Sequence, residues 1–218
     1  KRNAADFALW KLSDPKAPPR QMEWDSPWGR GFPGWHIECS AMSVKHLGLH
    51  YDIHSGGLDH IAVHHPNEIA QTENALDARP WVRFWLHGGW LLFDGEKISK
   101  STGGSVLNLD ELIASGFDPL AFRYFLLGGH YRQQLSYSDE AIAGAQTAYR
   151  RLLRHAQELS EDETSFGAAE AESLRARFRA AIGDDLNAPR ALAVVWEAVR
   201  SDAPGGREKH ALLCEWDA

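Results

Sequence analysis

The sequence predicts an α/β protein with a parallel sheet in its first part and helices in the rest. Up to residue 93, short runs rich in β-branched and aromatic residues alternate with segments of helical periodicity, a pattern typical of strand–helix–strand units. Further along, apolar residues recur with a period near 3.6, which predicts helices only. With 44% hydrophobic residues among 218, the chain can bury a core.

The elements of the first part follow from periodicity, glycine and proline. The opening predicts an amphipathic helix at Asp6–Trp10, and residues 13–34 are rich in Pro, Gly, Asp and Ser, which predicts an irregular loop. Pro66 is compatible with a helix only in its first turn. The predicted elements that follow are a helix at Ile37–Leu47, a strand at Tyr51–His54, a helix at His64–Leu76, strands at Trp81–Leu86 and Trp90–Phe93, and a turn at Asp94-Gly95.

The later elements are helices separated by polar linkers. The segment Ser160–Thr164 is charged and predicts a linker, and the tail from Ala203 is rich in Pro and Gly before a short helical stretch. The predicted helices are Leu109–Ala114, Pro119–Leu127, Asp139–Leu159, Ala168–Ile182 and Ala188–Val199.

Composition narrows the class of protein. No apolar run approaches 18 residues and the opening is unlike a signal peptide, so we expect neither a membrane span nor secretion. Two cysteines, Cys39 and Cys214, fit a reducing cytoplasm better than a disulfide framework. The net charge of −7 disfavours a generally basic nucleic-acid surface but allows a local one. Because the chain opens inside a predicted helix, we interpret it as a piece of a longer protein.

A cysteine, a histidine and a glutamate are spaced as metal ligands. His64 and Glu68 are four residues apart, so on a helix they share one face, and Cys39 adds a soft sulfur. Such a set favours zinc over magnesium or calcium, and three ligands leave one position open. The alternative is a surface His–Glu pair beside a buried cysteine.

Two lysines and two glycine-rich strand ends indicate a phosphate-handling site. Lys97 and Lys100 flank Ser99 after a predicted turn, where two ammonium groups can hold triphosphate oxygens. Gly56, Gly57 and Gly88 follow predicted strands, where glycine lets a ligand approach the backbone. A solvated loop and plain tight turns are the alternatives.

Histidines gather at predicted strand ends and helix starts, where an open α/β sheet forms its crevice. Asp59 could accept a hydrogen bond there from an amine or a ribose hydroxyl, and Trp35 could wall a small pocket. These histidines are His36, His54, His64, His65 and His87. Separately, Arg150, Arg151 and Arg154 give the long helix a basic segment that contacts either a phosphate backbone or only solvent.

Several of these segments resemble a known family. Lys97-Ile98-Ser99-Lys100-Ser101 resembles the lysine–serine signature of class I aminoacyl-tRNA synthetases. Four further segments resemble cysteinyl-tRNA synthetases specifically, and the resemblance runs from about Lys1 to Arg200. They are Pro33–Met42, His64–Gln71, Gly129-His130-Tyr131-Arg132 and Asp184–Leu192.

The resemblance implies a fold and a division of the chain. Residues 1–93 would be the second half of a Rossmann-like class I catalytic domain. Residues 94–137 would hold the lysine–serine loop and an all-helical stem-contact region, and 138–218 part of a helical bundle.

The resemblance also implies roles for single residues. Cys39, His64 and Glu68 match three of four zinc ligands, and the fourth, a cysteine, lies in a part of the family that precedes these residues. Residues that match the cysteine pocket and adenylate crevice are Trp35, His36, His54, Asp59 and His87. Gly56, Gly57, Gly88, Lys97 and Lys100 match positions that handle ATP, which is used with magnesium.

The implied function is ATP-dependent activation of cysteine and its transfer to tRNA(Cys). Zinc would take the substrate thiolate, which distinguishes cysteine from serine. Pro66 stands where the family usually has glutamate, and Ser55, Leu58 and residues 60–63 also depart from its pattern. The family's His-rich signature turn is absent, so these residues alone are expected to be inactive. The alternatives are a ligase that joins cysteine to an amino-sugar and a non-catalytic RNA-binding fragment.

Overall fold

The computed structural model describes residues 2–93, the backbone of 96–97, and 108–217, and these residues form two compact units. The first unit spans Lys1–Gly88 and the second Gly89–Ala218. The predicted turn at Asp94-Gly95 and most of the lysine–serine loop, Lys100 included, lie outside the described residues. No helix of the described residues has the length and apolar character needed to cross a membrane.

The first unit contains a parallel strand pair with a helix between its strands. Tyr51 faces Val82 at one end of this pair and Gly57 faces Gly88 at the other. The parallel arrangement confirms the predicted α/β class for this part of the chain. The elements are β1 (Trp10–Leu12), β2 (Gly31–Pro33), α1 (Trp35–Leu47), β3 (Tyr51–Gly57), α2 (His64–Leu76) and β4 (Val82–Gly88), and a single 3₁₀ turn covers Leu58–His60.

The helix predicted at Asp6–Trp10 is wrong. The chain is instead extended at Trp10–Leu12 and pairs antiparallel with Gly31–Pro33, so the loop predicted over 13–34 also contains a strand. The carbonyl of Leu9 accepts a hydrogen bond from the Gly34 N–H at 2.8 Å. A five-residue apolar pattern is too short to form a stable helix alone, and pairing with a distant segment satisfies its backbone instead.

The second unit is mostly helical around a small sheet. Its three strands run in the order β6-β5-β7, with β5–β6 antiparallel and β5–β7 parallel. The observed helices confirm those predicted for this part of the chain. The structure adds a strand at Leu135–Tyr137, which was not predicted. The elements are β5 (Leu91–Phe93), β6 (Glu96–Lys97), α3 (Leu109–Ala114), α4 (Pro119–Leu127), β7 (Leu135–Tyr137), α5 (Asp139–Ser160), α6 (Ala168–Gly183), α7 (Ala188–Arg200) and α8 (Gly206–Asp217).

Capping side chains fix where these helices begin. Asn108 forms a capping box with Glu111 at the start of α3. Asp118 accepts a hydrogen bond from the Leu120 N–H and is followed by a proline at the first helical position. Asn187 caps α7 in the same way through the Arg190 N–H. The apolar faces meet in two clusters, one around Leu112, Tyr137 and Ile142 and the other around Leu174, Val194 and Leu212.

Candidate functional site

The site lies at the carboxyl ends of β3 and β4, next to the first turns of α2. The strand register places Gly56 opposite His87 and Gly57 opposite Gly88, which brings the two predicted glycine-rich ends together. In parallel sheets this edge is where ligands bind, because loops diverge there and leave a crevice.

Three side chains converge as the sequence predicts for a metal centre. The Sγ atom of Cys39 on α1, a ring nitrogen of His64 and a carboxylate oxygen of Glu68, both on α2, all lie within 4.8 Å of one another. Glu68 is completely buried and His64 is 2% exposed. A fully buried carboxylate is stable only with charged or hydrogen-bonding partners, so its position needs an explanation.

The carboxylate of Glu68 has one oxygen that lacks a hydrogen bond. Its Oε1 has no hydrogen-bond partner among the described residues, and His64 Nε2 lies 3.5 Å away from it. A divalent cation between Cys39, His64 and Glu68 would satisfy this oxygen with a ligand set that zinc accepts. The residues present therefore fit a zinc ion.

A second group of side chains, which includes His65, shares the same carboxylate. Oε2 of Glu68 lies 2.9 Å from His54 Nε2 and 3.9 Å from His65 Nε2. His65 Nδ1 in turn lies 2.8 Å from His87 Nε2. His54 and His87 are thus brought to the site as predicted, whereas no individual role is predicted for His65 from the sequence. The sequence signal that could have indicated a site role for His65 is its position next to His64 in the first helical turn.

His60 is a further residue that the sequence did not single out. Its Nδ1 and the Nε2 of His65 are both buried without a hydrogen-bond partner among the described residues. A Cβ atom added to Gly56 would lie 2.6 Å from the first nitrogen and 2.8 Å from the second. Glycine at position 56 therefore leaves room for these two rings, and both nitrogens remain available to a polar ligand.

Burial keeps these groups in their neutral forms. Burial, and then the neighbouring His54, lowers the pKa of His65 to about 4. Burial also lowers the pKa values of His36 and His64. Burial and then the charge of Glu68 raise the pKa of Cys39 to about 11. Neutral imidazoles are the form that binds metals, and a coordinated metal ion would deprotonate the thiol.

A chain of hydrogen bonds holds His64 from the side opposite Glu68. His36 Nδ1 lies 2.9 Å from His64 Nδ1, and His36 Nε2 lies 3.1 Å from the amide nitrogen of Asn67. If the Asn67 amide donates to His36 Nε2, then His36 carries its proton on Nδ1 and donates it to His64 Nδ1. His64 is then protonated at Nε2, the nitrogen nearer Glu68. Metal binding by Nε2 requires the reverse order, with the Asn67 amide turned to accept.

Aromatic rings wall this part of the site. The Trp35 ring lies 4.1 Å from the His64 ring and 5.5 Å from the His36 ring, measured between centroids. Phe7 contacts His36 edge-on at 5.3 Å. Trp35 remains 53% exposed, so the wall has an open side.

The remaining predicted site residues are Asp59, Lys97 and Lys100. Asp59 lies exposed on the 3₁₀ turn. Lys97 is described only through its backbone, in β6 of the second unit. Lys100 lies outside the described residues. Their roles toward ATP and substrate stay predictions.

The family resemblance implies a Rossmann-like sheet with Cys39, His64 and Glu68 as metal ligands, and comparison with known proteins identifies the class of protein. Residues 1–147 match the family described as the tRNA synthetase class I (C) catalytic domain. The chain belongs to this family of class I tRNA synthetases.

Two relatives define the kind of synthetase more closely. The cysteine–tRNA ligase 1 of Burkholderia lata is 54% identical over 205 residues, 94% of this chain and 42% of the relative. The cysteine–tRNA ligase of Shewanella oneidensis is 48% identical over 200 residues, 92% of this chain and 41% of the relative. The family resemblance is thereby confirmed, and the chain spans about two fifths of the length of these relatives.

A solved structure supports the fold alone. LeuRS from Agrobacterium radiobacter K84, in a ternary complex with tRNA and LeuAMS, matches with a TM-score of 0.54 at 15% identity. The match covers 88% of this chain and 31% of the LeuRS chain.

Proposed function

We propose that this chain is part of a cysteine–tRNA ligase, which activates cysteine with ATP and transfers it to tRNA(Cys). One observation carries the proposal: half-buried Cys39 and buried His64 and Glu68, with one carboxylate oxygen that lacks a hydrogen bond, would hold a soft metal ion in a class I synthetase fold. Identities of 48–54% to cysteine–tRNA ligases support the same substrate.

The site residues would distinguish cysteine by its sulfur atom. Bound zinc would supply a Lewis acid that prefers a thiolate to the much less acidic hydroxyl of serine. The residues of the chain orient this ion: Glu68 is fixed from one side by His54 at 2.9 Å, and His64 is fixed by His36. Trp35 supplies an apolar wall beside them, so shape and metal–sulfur bonding act together.

Five residues of the chain are proposed to bind ATP. Gly56, Gly57 and Gly88 at the strand ends would let the nucleotide approach the backbone. Lys97 and Lys100 would neutralise the leaving pyrophosphate, with magnesium, as the adenylate forms. Asp59 is proposed to bind the substrate amine or a ribose hydroxyl.

We also propose a functional division of the chain. Residues 1–93 would form the C-terminal part of the catalytic domain, 94–137 the lysine–serine loop and stem-contact region, and 138–218 part of a helical bundle. The compact units divide at Gly88, so strand β5 belongs to the second unit, where it pairs with β7. We propose that the complete ligase acts in the cytoplasm.

Cobalt substitution tests the metal and the substrate together. Cobalt replaces zinc in such sites, and each thiolate bound to it adds an intense charge-transfer absorption. We expect cysteine to increase this absorption, serine to leave it unchanged, and Cys39→Ser to abolish the basal band. Cys214→Ser is the control, because Cys214 is exposed on α8.

Two assays separate the proposed ligase from its alternatives. Cysteine-dependent exchange of pyrophosphate into ATP by the longer protein that contains these residues would show adenylate formation. Transfer of cysteine to tRNA(Cys) by that protein supports the ligase, whereas transfer to an amino-sugar alone would support the related thiol-biosynthesis enzyme. Absence of exchange would favour a non-catalytic RNA-binding role.

A further inference from the structure

Five arginines on the helical unit form no ion pair with any residue that the structure describes, and they are Arg123, Arg150, Arg151, Arg200 and Arg207. The other arginines there are paired, for example Arg177 with Glu197 and Arg190 with Asp184. Arg150, Arg151 and Arg200 belong to the five, and all three are exposed. In a chain with a net charge of −7, unpaired arginines are not explained by a shortage of carboxylates.

Two of these arginines are held by the same tryptophan. The guanidinium carbon of Arg151 on α5 lies 4.6 Å from the Trp196 ring centroid, and that of Arg200 lies 4.9 Å from it. Trp196 and Arg200 are four residues apart on α7, so they share one face of that helix. Both distances are within the range of cation–π attraction.

The tryptophan is itself fixed in place. Its Nε1 donates a hydrogen bond to the Tyr124 hydroxyl at 2.7 Å, and the His155 ring meets it edge-on at 6.3 Å. Trp196 is half-buried between α4, α5 and α7, while the arginines that it holds are exposed. Stacking on a fixed ring restricts the rotamers of both side chains and so lowers the entropy lost when they bind a ligand.

This arrangement fits an anion better than a purely structural role. Two positive charges on one ring repel each other, and in a structural cluster a nearby carboxylate would normally neutralise them. The guanidinium fork matches phosphate oxygens in geometry, and Arg150 extends the positive charge along α5. Repeated phosphates on one polymer would satisfy several of these charges at once.

We propose that Arg151 and Arg200, held by Trp196, form a contact surface for the phosphate backbone of RNA. The inference rests on the proposed function, which makes tRNA(Cys) the RNA concerned. It assigns the contact to the faces of α5 and α7 around Trp196. Because the contact is to phosphate, it adds affinity without reading the base sequence.

The test compares two double variants with equal charge change. Arg151→Gln/Arg200→Gln removes two unpaired charges, whereas Arg177→Gln/Arg179→Gln removes two charges that are paired with Glu197 and Glu215. Binding of tRNA(Cys) transcript is measured by fluorescence anisotropy across a salt series. We expect the first pair to lower the slope of log affinity against log salt by about 2, about 1 per arginine. The second pair should lower it little.

A third variant tests the role of the ring. Trp196→Phe keeps an aromatic face and removes the hydrogen bond to Tyr124, and we expect it to weaken tRNA binding while leaving the salt slope unchanged. Near-ultraviolet circular dichroism checks that every variant is folded. An unchanged salt slope in Arg151→Gln/Arg200→Gln would overturn the proposal, as would equal losses in both double variants, which indicate net charge only.

Pyrophosphate exchange distinguishes a failure of this inference from a failure of the proposed function. Cysteine-dependent pyrophosphate exchange needs no tRNA, so the longer protein carrying Arg151→Gln/Arg200→Gln should keep its exchange rate. Loss of exchange with intact tRNA binding would overturn the phosphate contact. If the unaltered protein binds tRNA but shows no exchange, the ligase function fails and the salt-slope test still decides this inference.

Discussion

Arg132 and Asp185 form a two-pronged ion pair although 53 residues separate them in the sequence. Nε of Arg132 donates to Oδ2 of Asp185, and Nη2 donates to Oδ1 at 3.0 Å. The Tyr131 hydroxyl adds a hydrogen bond to Oδ1 at 2.6 Å. The pair joins two segments that carry the family resemblance, and it anchors the turn between α6 and α7, where Asp185 has a positive φ of 57°.

Acid should weaken this contact in a defined pH range. Hydrogen bonds from Arg132 and then Tyr131 lower the pKa of Asp185 to about 2. The folded form therefore binds this proton only near pH 2, while the unfolded chain binds it near its ordinary value of 3.8. The stabilisation is complete above pH 4 and is lost as the pH falls toward 2. In thermal unfolding, Asp185→Asn should show a smaller decrease in Tm across this range than the unaltered protein.

A neighbouring residue supplies the control for this prediction. Asparagine tolerates a positive φ, so Asp185→Asn keeps the backbone of the turn. Asp184 pairs with Arg190 at 2.7 Å on the same turn and is 62% exposed, so Asp184→Asn should retain the acid sensitivity. Equal acid profiles for Asp185→Asn and the unaltered protein would show that the ion pair does not stabilise the fold.

His36 should control the affinity of the proposed metal site without binding the metal. Its Nδ1 lies 2.9 Å from His64 Nδ1, so it can accept a hydrogen bond from a proton on His64 Nδ1, the tautomer that leaves His64 Nε2 free as a ligand. Partners of this kind typically contribute 10–100-fold in metal affinity. We expect His36→Ala to weaken zinc binding by roughly that factor, and His36→Gln, which keeps an acceptor, to weaken it less. Competition with a chromogenic chelator measures the affinity.

The matched control lies on the same helix. His46 is exposed near the end of α1, and His46→Ala should leave zinc affinity unchanged. If His36→Ala binds zinc as tightly as His46→Ala, the pair of imidazoles does not orient the ligand. Equal weakening in His36→Ala and His36→Gln would point to packing against Phe7 and Trp35 rather than to the hydrogen bond.

Local signals predicted the elements more reliably than pairing between distant segments. The helices α3 and α4 begin and end where their periodicity predicts, and their capping residues Asn108 and Asp118 act within one turn. The strand Trp10–Leu12 was missed because its stability comes from Gly31–Pro33, about twenty residues further along the chain. The strand Leu135–Tyr137 was missed for the same reason, since it pairs with β5.

In the candidate site, too, local spacing was predictable from the sequence, whereas contacts between distant segments were not. The spacing of His64 and Glu68 predicted a shared helical face, and the structure adds Cys39 within 4.8 Å as expected. The sequence could not show that Glu68 uses its two oxygens toward different partners, or that His60 and His65 both point at Gly56. Those facts depend on how β3, α2 and the 3₁₀ turn pack, which no local pattern encodes.

Two glycine substitutions should have opposite effects on stability. A Cβ at Gly56 would lie 2.6 Å from His60 Nδ1 and 2.8 Å from His65 Nε2, so both rings must move. Overpacking of this kind costs about 1–3 kcal/mol, and we expect Gly56→Ala to destabilise the fold by that amount and to weaken zinc binding. Gly144 lies within α5 with nothing within 4 Å of an added Cβ. Gly144→Ala should therefore stabilise the chain by about 0.5–1 kcal/mol and leave zinc binding unchanged.

Urea unfolding and zinc titration distinguish these effects. Gly56→Ala should lower the free energy of unfolding and also disturb the His65–His87 contact, which is 2.8 Å between ring nitrogens. Histidine resonances in NMR spectra report that contact directly. If Gly56→Ala loses stability but keeps both its zinc affinity and its histidine resonances, the close approach at Gly56 is a packing constraint unrelated to the site. If Gly144→Ala also weakens zinc binding, the metal measurement is responding to something other than the geometry at Gly56.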